Sequence, residues 1–429
     1  MGRPARIKSY YAASAHASPD RAELESSVDC DICVVGGGIA GLSTALHLAQ
    51  SHYNVVLLEE YRVGWGASGR SGAQAIHGVA AGHIKLERLI GSEAARIVWD
   101  VSVEGLALMR ELIERYHIDC DWTDGYLLTA VRKRHLQELR TELDALQNKL
   151  GYATTRYVQQ EELRSLLGTN RYLGGMYDTA SGHLHPLNYT LGLAVAAESS
   201  GVRIFEGTRA LGFRETGAVA GAVRVRTPRG EVRTRHLVLC GNVYLRDTAP
   251  SLASKIMALG SYIVATEPLG AERARGLIAN NAAVCDMNWM LDYFRCSADH
   301  RLLFGGRLSE AVSSPQAANA ARERMLRVFP QLADARIDYS WGGHVDVTMN
   351  RAPHFGRLAS NIYFLQGFSG HGIALTGIAG KLVAQAIAGS AERFDVFARI
   401  PHRDFPGGTA LRAPLLATAM LYYRLRDLL

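Results

Sequence analysis

Residues 31–50, "DICVVGGGIAGLSTALHLAQ", carry the strongest indication of fold class in this chain. They read as a short apolar strand, a glycine-rich turn and an amphipathic helix. Gly36, Gly38 and Gly41 match the spacing G-x-G-x-x-G, in which the first glycine permits a tight turn, the second lets a pyrophosphate approach the backbone, and the third lets helix and strand pack closely. A second apolar strand, "NVVLLEE", follows and ends at Glu59, where an acid that binds ribose is expected. A glycine-rich turn in an unrelated α/β protein does not explain the position of that acid, so the stretch predicts a Rossmann-like dinucleotide-binding domain.

Length and composition limit the organisation and function of the chain. At 429 residues it exceeds the size at which one hydrophobic core keeps growing, so two domains, or one domain with a large insertion, are expected. The net charge of +6 is mild and no long run of basic residues occurs, so we expect no nucleic-acid partner. The N-terminus lacks the apolar core of a signal peptide, and no window of about eighteen apolar residues exists, which predicts no transmembrane segment.

The cysteines indicate a reduced setting. Six cysteines in so long a chain do not make a disulfide framework, and they fit a cytoplasmic location. Cys30 and Cys33 form a C-x-x-C, a spacing that also occurs in redox and metal sites. They lie in or beside the strand "CDICVV", where residues three apart point to opposite faces. We therefore interpret them as strand residues, and no metal site is predicted.

The segment after the second strand distinguishes FAD from NAD. An NAD-binding domain would continue with another helix and strand, whereas this chain enters "RVGWGASGRSGAQ" (62–74), a second glycine-rich loop. Such a loop can run along an extended cofactor and offer amides to its diphosphate and ring, which favours FAD. A surface loop is the alternative, but a 13-residue loop with four glycines beside a dinucleotide site is more often functional.

Further stretches narrow the assignment. They are "SYYAASA" (9–15), "VVGGGIAGLSTALHL" (34–48), "GWGASGRSG" (64–72), "IDCDW" (118–122), "SGHLHPLNY" (181–189), "LDYFRCSADHRLLFGG" (291–306), "GFSGHGIALTGIAGKL" (367–382) and "ERFDVFARIPHRDFPGG" (392–408). Together they resemble the glycine-oxidase and D-amino-acid-oxidase branch of the FAD-dependent oxidoreductases. The glycine motifs identify only the superfamily, and the other stretches point to this branch within it.

The resemblance implies an α/β chain with two domains. One would be a discontinuous, Rossmann-like FAD-binding domain of the glutathione-reductase type, and the other a mixed α+β substrate domain. The implied segments are an N-terminal arm (1–27), FAD-binding segments (28–85, 186–245 and 345–400), substrate segments (86–185 and 246–344) and a C-terminal tail helix (401–429). Helical patterns at 91–116 and 133–150 interrupt the α/β pattern, as an insertion would.

The resemblance also implies where FAD binds. The expected cofactor contacts are Gly36, Gly38, Ile39, Ala40, Gly41, Glu59, Glu60, Gly66, Ala67, Ser68, Arg70, Ser71, Gly72, Ala73, Gln74, Ala210, Gly241, Gly367, Ser369, Gly370, His371, Gly372 and Ile373. Some relatives attach FAD covalently through a cysteine in the stretch before the C-terminal glycine motif. Residues 339–350, "YSWGGHVDVTMN", contain no cysteine, so the resemblance implies noncovalent FAD.

The C-terminal glycine motif "GFSGHG" (367–372) is expected to face the flavin ring. In the family it follows a strand, here "NIYFLQ", and starts a helix whose N-terminus points at the flavin. A reduced flavin carries negative charge and a helix N-terminus carries about +0.5 charge, so this arrangement would favour reduction. His371 can instead be a capping or core histidine, and no catalytic residue is assigned.

The implied reaction is the oxidation of a small primary amine by FAD and O2, which yields an aldehyde, ammonia and hydrogen peroxide. The amine must be neutral to react, and aromatic walls favour that form by excluding water. The expected pocket residues are Trp289, Tyr293, Trp341, His344 and Arg351, with Phe294 as a further candidate. Aromatic residues are more often part of the core, so each of these could belong there instead, and Arg351 could hold a carboxylate or form a surface salt bridge.

One departure from the family affects both substrate and oxygen chemistry. Ala374 stands where some sarcosine-oxidising relatives carry a lysine close to the flavin. This argues against sarcosine as the substrate, and it leaves open how oxygen would be activated.

Two other functions remain open. The tail "LRAPLLATAMLYYRLRDLL" (411–429) has an apolar stripe and basic residues, so it could lie on a membrane surface in a dehydrogenase that passes electrons to a quinone or a carrier protein. A helix docked on its own body is the alternative for this tail. A non-catalytic, FAD-binding regulatory protein is the second possibility, because glycine loops bind FAD whether or not turnover follows. The residues do not indicate an oligomeric state.

Overall fold

The computed structural model describes residues 6–216, 222–309, 315–406 and 418. Its strands are β1 (Val28–Asp29), β2 (Ile32–Val35), β3 (Val55–Leu58), β4 (Gln74–Ala75), β5 (Thr123–Ala130), β6 (Thr155–Val158), β7 (Gly174–His183), β8 (Arg203–Phe205), β9 (Gly212–Thr216), β10 (Ala222–Arg226), β11 (Glu231–Thr234), β12 (His236–Leu239), β13 (Met257–Thr266), β14 (Ala283–Asp286), β15 (Asp292–Cys296), β16 (Leu302–Ser309), β17 (Ile337–Val347), β18 (His354–Ala359) and β19 (Ile362–Gln366). Its helices are α1 (Tyr10–Ser14), α2 (Ile39–Gln50), α3 (His83–Ile90), α4 (Ser92–Arg115), α5 (Lys133–Asp144), α6 (Gln160–Leu166), α7 (Pro186–Ser199), α8 (Pro250–Ala253), α9 (Ala271–Leu277), α10 (Pro315–Val328), α11 (Gly372–Ile387) and α12 (Glu392–Ala398).

A six-stranded sheet carries the glycine-rich turn. Its strand order is β18-β19-β12-β2-β3-β8, and every neighbouring pair is parallel except β18 with β19. β2 and β3 contain only buried residues, as expected for parallel strands that are covered on both faces. Helix α2 connects these two strands, so the predicted strand, turn, helix and strand are confirmed.

Alternate residues of these strands face two different layers. Val34 and Leu57 pack in the same core as α2, α7 and α11. Val35 and Leu58 pack on the opposite face against the four-stranded mixed sheet β1-β11-β10-β9, in which β1 pairs in parallel with β11. The result is a three-layer α/β/β arrangement around the six-stranded sheet.

A nine-stranded mixed sheet forms the second half of the molecule. Its order is β17-β13-β16-β15-β14-β5-β7-β4, with β6 paired to β7. In its core the ring of Phe294 lies 5.6 Å from that of Phe304 and 5.1 Å from that of Phe329, centroid to centroid. Phe294 is therefore a core residue, the alternative that the sequence left open for it.

The two large sheets take their strands from alternating parts of the chain. The six-stranded sheet uses residues 32–58, 203–239 and 354–366, and the nine-stranded sheet uses residues 74–183 and 257–347. The predicted domain boundaries stay a prediction. Residues 407–417 and 419–429, which include most of the predicted tail helix, lie outside the described residues.

The segment before β1 lies along the body of the molecule. Tyr11 is fully buried, and its hydroxyl accepts a hydrogen bond from Arg295 Nη2 at 3.1 Å. Arg21 is also buried and donates two hydrogen bonds to the Glu198 carboxylate, at 2.7 and 2.8 Å. These contacts make the segment part of the packed structure.

All six cysteines are free thiols. Cys33 lies inside β2 and Cys30 lies just before it. Burial raises the pKa of Cys30 to about 11 and also raises the pKa of Cys33, so both are held as thiols at neutral pH. Within the described ranges, no group of three or more His, Cys, Asp or Glu side chains could hold a metal ion.

Among the helices that the structure describes, none has by itself the length and hydropathy needed to cross a membrane. Helices α11 and α12 have the required length and hydropathy only when they are taken together, and a bend of 118° separates them.

Helices α2 and α11 make backbone contact. A Cβ atom at Gly380 would lie 2.6 Å from the amide nitrogen of Thr44 and 2.8 Å from the carbonyl oxygen of Ala40. Beside this contact, the Ser43 hydroxyl donates to the carbonyl of Gly377 at 2.6 Å. The glycine thus sets the distance between the two helices.

Gly380→Ala is expected to destabilise the protein, because the added methyl group forces the two helices apart. Overpacking of this kind costs about 1–3 kcal/mol. The matched control is Gly377→Ala in the same helix, where an added Cβ would meet nothing within 4 Å. This control should be neutral or stabilising by up to about 1 kcal/mol, because alanine favours helix more than glycine does. Thermal unfolding followed by circular dichroism at one scan rate measures both, and equal shifts in the two variants would contradict the proposed contact.

Candidate active site

One large cavity is lined by residues of both major sheets. Its volume is about 840 Å³, within the range of about 300–1,000 Å³ that is usual for cofactor and small-molecule sites. Three glycine-rich loops converge on it: the turn between β2 and α2, the loop between β3 and β4, and the loop between β19 and α11.

The turn before α2 brings backbone amides to the cavity. Gly36 has φ +114°, and a Cβ there would lie 2.9 Å from the backbone carbonyl that follows β12. A Cβ at Gly38 would lie 2.8 Å from Ser68 Oγ, which accepts a hydrogen bond from the Ile39 amide at 3.0 Å. Gly41 lies behind the turn, where a Cβ would come within 1.9 Å of the Gly36 carbonyl oxygen. These glycines permit both the turn and the close packing of the helix against it.

Two acids follow β3 at the same end of the cavity. Glu59 accepts hydrogen bonds from the Gly37 amide at 2.7 Å and from the Tyr61 amide at 2.9 Å. Burial raises the pKa of Glu59 to about 7 despite these bonds. The neighbouring Glu60 carboxylate lies 4.0 Å from Arg209. A carboxyl group that is anchored to the turn in this way is placed to accept hydrogen bonds from ligand hydroxyls.

Helix α11 presents its N-terminus to the cavity. Gly370, His371, Gly372 and Ile373 line the cavity, and the helix has no side-chain cap. The first amides of the helix are therefore available to a ligand, and the helix dipole adds partial positive charge there.

Asp346 on β17 holds the loop before α11. Its buried carboxylate accepts a hydrogen bond from the Phe368 amide at 2.6 Å. The Ser369 hydroxyl in the same loop accepts from the Thr348 amide at 3.3 Å. Burial raises the pKa of Asp346, and the side chain lines the cavity. The position of this loop thus depends on a strand that is distant in sequence.

Two histidines face the cavity in their neutral form. Burial lowers the pKa of His371 to about 4, and electrostatic interactions with His77 and Arg351 also lower it. Burial also lowers the pKa of His344, whose Nδ1 atom lies 3.3 Å from the Tyr244 hydroxyl. Both imidazole rings are therefore expected to be neutral at pH 7.

The far wall is formed by aromatic and apolar side chains. The Tyr293 hydroxyl lies 3.0 Å from Ser261 Oγ, and burial raises the pKa of this phenol, so it stays protonated. The guanidinium group of Arg351 lies 5.8 Å from the ring centroid of Trp289. Arg351 has φ +62°, an uncommon conformation for a residue other than glycine.

Trp341 does not line the cavity and belongs to the core, the alternative that the sequence left open for it. Its ring is buried against that of Tyr11, with centroids 5.2 Å apart. Its indole N–H donates to the carbonyl oxygen of Arg70 at 3.0 Å. Trp341 therefore supports the loop between β3 and β4 from behind.

The cavity brings together most of the predicted site residues. Those that line it are Gly36, Gly38, Ile39, Ala40, Glu59, Glu60, Gly66, Ala67, Ser68, Arg70, Ser71, Gly72, Ala73, Gln74, Ala210, Gly241, Trp289, Tyr293, His344, Arg351, Ser369, Gly370, His371, Gly372 and Ile373. Gly41 and Gly367 do not line it. Gly367 instead forms the turn after β19, with φ +78°.

Several lining residues were missed from the sequence. They include Trp65, Lys85, Asn242, Tyr244 and Asp346. Trp65 lies inside the predicted loop, so its position could have indicated a role. The others lie in segments that have no local motif, and only the fold brings them to the cavity.

These features fit an extended dinucleotide such as FAD. Two open helix N-termini suit negative charge, and the glycines leave the backbone accessible. In addition, the Arg70 Nη2 atom and the Trp65 indole nitrogen are buried without a hydrogen-bond partner in the described residues, although both residues line the cavity. Buried donors of this kind are expected to meet an acceptor.

Comparisons with known proteins agree with this site. Residues 31–386 match the DAO family, described as FAD dependent oxidoreductase. The chain is 40% identical over 421 residues to the gamma-glutamylputrescine oxidoreductase of Escherichia coli (strain K12), covering 98% of each chain. It is also 40% identical over 426 residues to "Probable oxidoreductase OrdL" of Haemophilus influenzae, covering 98% of this chain and 97% of the relative.

A solved structure shares the fold. The crystal structure of glycine oxidase from Geobacillus kaustophilus superposes with a TM-score of 0.70 at 20% identity, over 84% of this chain and 95% of that one. The family match covers most of the chain, and both sequence relatives align from end to end. The chain therefore belongs to the DAO family of FAD-dependent oxidoreductases.

Proposed function

We propose that this protein oxidises gamma-glutamylputrescine at its terminal primary amine to an imine, which water hydrolyses to ammonia and an aldehyde with the gamma-glutamyl group. The two electrons would pass to O2, which gives hydrogen peroxide. The observation that carries the proposal is the 40% identity, over 98% of both chains, to a protein named for this substrate. The aromatic and apolar side chains around Trp289 and Tyr293 support it, because amine oxidation requires the neutral amine and burial among such groups disfavours its charged form. We also propose a cytoplasmic location, the setting in which free thiols such as these stay reduced.

We further propose that FAD is held without a covalent bond in a domain of the glutathione-reductase type. The turn at Gly36 and Gly38, with the N-terminus of α2, would hold the diphosphate. Glu59 would accept hydrogen bonds from the ribose, and the loop before α11 would lie at the flavin. FAD, when bound, supplies the capacity to accept two electrons from the amine and to pass them to oxygen.

The residues of the chain would make the amine neutral by their environment. An alkyl amine in water has a pKa of about 10.4, so it enters as an ammonium ion at pH 7. Burial among apolar groups disfavours that charge. His371 and His344 have lowered pKa values and Tyr293 a raised one, so these three side chains are uncharged at pH 7.

Gamma-glutamylputrescine should bleach the flavin absorbance on anaerobic mixing, and kcat/KM for it should exceed that for free putrescine by about ten-fold or more. Polar groups that match one substrate and are left unpaired by another give discrimination of this size or larger. N-acetylputrescine, glycine and sarcosine complete the panel. Failure of gamma-glutamylputrescine to bleach the flavin would remove it as the substrate.

The electron acceptor is tested in the same assay. Hydrogen peroxide should form in equal amount to the amine consumed in air-saturated buffer. A flavin that is reoxidised by an artificial dye but not by oxygen would favour a dehydrogenase. If no amine reduces the flavin, a non-catalytic role is favoured instead.

The pH dependence should follow the substrate amine and not His371. We expect log(kcat/KM) to rise with pH towards the pKa of the amine, because only the neutral amine reacts. His371 has a pKa of about 4, so it is already neutral above pH 6 and adds no inflection between pH 6 and 9. Steady-state rates of the wild type and His371→Asn across that range should therefore have the same profile shape. An inflection near pH 6.5 that disappears in the variant would contradict this.

Noncovalent attachment predicts that acid precipitation releases all of the flavin. Two cysteines, Cys240 and Cys285, line the cavity, but burial raises the pKa of Cys240 to about 12 and raises that of Cys285 as well. Neither is therefore expected to be the thiolate that bond formation requires. Yellow colour in the supernatant and a colourless pellet are expected. Flavin fluorescence that stays with the denatured chain would show a covalent link.

A further inference from the structure

Trp65 and Arg70 form a rigid pair at the cavity. The guanidinium carbon of Arg70 lies 3.9 Å from the ring centroid of Trp65, and Arg70 Nε donates to the carbonyl oxygen of Trp65 at 2.6 Å. The carbonyl of Arg70 is in turn held by the indole N–H of Trp341 at 3.0 Å. On its outer side, the Trp65 ring stacks on that of Tyr61, with centroids 4.0 Å apart. Packing on all these sides fixes the direction of the N–H groups of the pair.

Two N–H donors of this pair have no acceptor among the described residues. They are Arg70 Nη2 and Trp65 Nε1, and both are buried. Arg70 as a whole is only 7% exposed, and both residues line the cavity. Leaving a buried donor unsatisfied is unfavourable, and more so for a charged group. Both donors are therefore expected to meet an acceptor that the chain itself does not supply.

A second tryptophan–arginine pair shows what such donors bind. Arg110 lies over Trp122, with its guanidinium carbon 4.6 Å from the ring centroid. Trp122 Nε1 donates to Asp124 Oδ1 at 2.8 Å, and Arg110 Nη2 lies 2.7 Å from the same oxygen. In this pair one indole N–H and one guanidinium N–H converge on a single oxyanion.

We propose that Trp65 and Arg70 form an oxyanion cradle in the cavity, which binds an oxygen of a phosphate or carboxylate through the indole and guanidinium N–H groups. The diphosphate of FAD is the favoured source of that oxyanion. The cradle lies in the same loop as Ser68, whose hydroxyl meets the Ile39 amide at the N-terminus of α2. A diphosphate at that terminus would thus be bound by backbone amides on one side and by the cradle on the other. The carboxylate of a gamma-glutamyl amine is the second source, and that source rests on the proposed function.

The test compares variants of the cradle with variants of the second pair. Trp65→Phe removes one N–H and keeps the ring for stacking, and Arg70→Gln removes the charge. Trp122→Phe and Arg110→Gln make the same changes outside the cavity. The dissociation constant of FAD is measured by flavin fluorescence with each purified chain, and that of ADP by calorimetry after removal of FAD. Each cradle variant should raise the dissociation constants of FAD and ADP by about ten-fold or more, since hydrogen bonds to charged groups contribute about 1.5–3 kcal/mol. The control variants should keep both constants within about two-fold of the wild type.

The outcomes separate the two sources. Weaker binding of both FAD and ADP identifies the diphosphate. Unchanged FAD and ADP binding, with a KM for gamma-glutamylputrescine raised about ten-fold and a KM for putrescine unchanged, identifies the substrate carboxylate. If Trp65→Phe changes neither the binding of FAD and ADP nor the KM for gamma-glutamylputrescine, the cradle is disproved, even if Arg70→Gln fails to fold. A wild-type protein that does not oxidise gamma-glutamylputrescine overturns the proposed function, while FAD and ADP binding still test the cradle.

Discussion

The backbone contact between α2 and α11 is the constraint on which the site depends. The two helices follow β2 and β19, parallel strands that are separated in the sheet only by β12. Because Gly380 lets the helices touch, both N-termini open into one cavity. Each terminus offers unsatisfied amides and partial positive charge. The fold therefore creates a region that favours negative charge before any charged side chain is considered.

The loop between β3 and β4 leads into a short strand and not into an α-helix, and side chains from other elements orient it. Ser68 binds the N-terminus of α2, while Trp341 of β17 holds the carbonyl of Arg70. Asp346, five residues further along the same strand, holds the loop before α11. β17 thus supports two of the three loops. A strand of the nine-stranded sheet therefore helps to position loops that follow strands of the six-stranded sheet.

The local parts of the site could be predicted from the sequence, because their signals lie within about thirty residues. The glycine turn, α2 and Glu59 all follow from spacing. What could not be predicted is which face of a strand meets the cavity. Trp341 and His344 are three apart on β17, so they point to opposite faces, and only His344 lines the cavity. Tyr293 and Phe294 on β15 differ in the same way, because alternation shows that two faces exist but not which one is the core.

Asp346 was not predicted, although its strand face follows from the position of His344. It lies two residues from His344, so both share the face that meets the cavity. A buried acid needs a hydrogen-bond donor, and for Asp346 the donor is a backbone amide of a loop that begins only after two further strands. A single sequence reveals that such a donor is needed but not where it is.

Under the proposed function, the positive charges around the cavity would help a bound amine to lose its proton. Lys85, Arg70 and Arg351 line the cavity together with the positive end of α11. An ammonium ion in such surroundings is disfavoured both by burial and by like charge, and both effects lower its pKa. The nearby histidines have lowered pKa values from the same two causes. A field that keeps His371 neutral would also favour the neutral amine, so one arrangement of positive charge serves an anionic cofactor and, under the proposed function, prepares the substrate for oxidation.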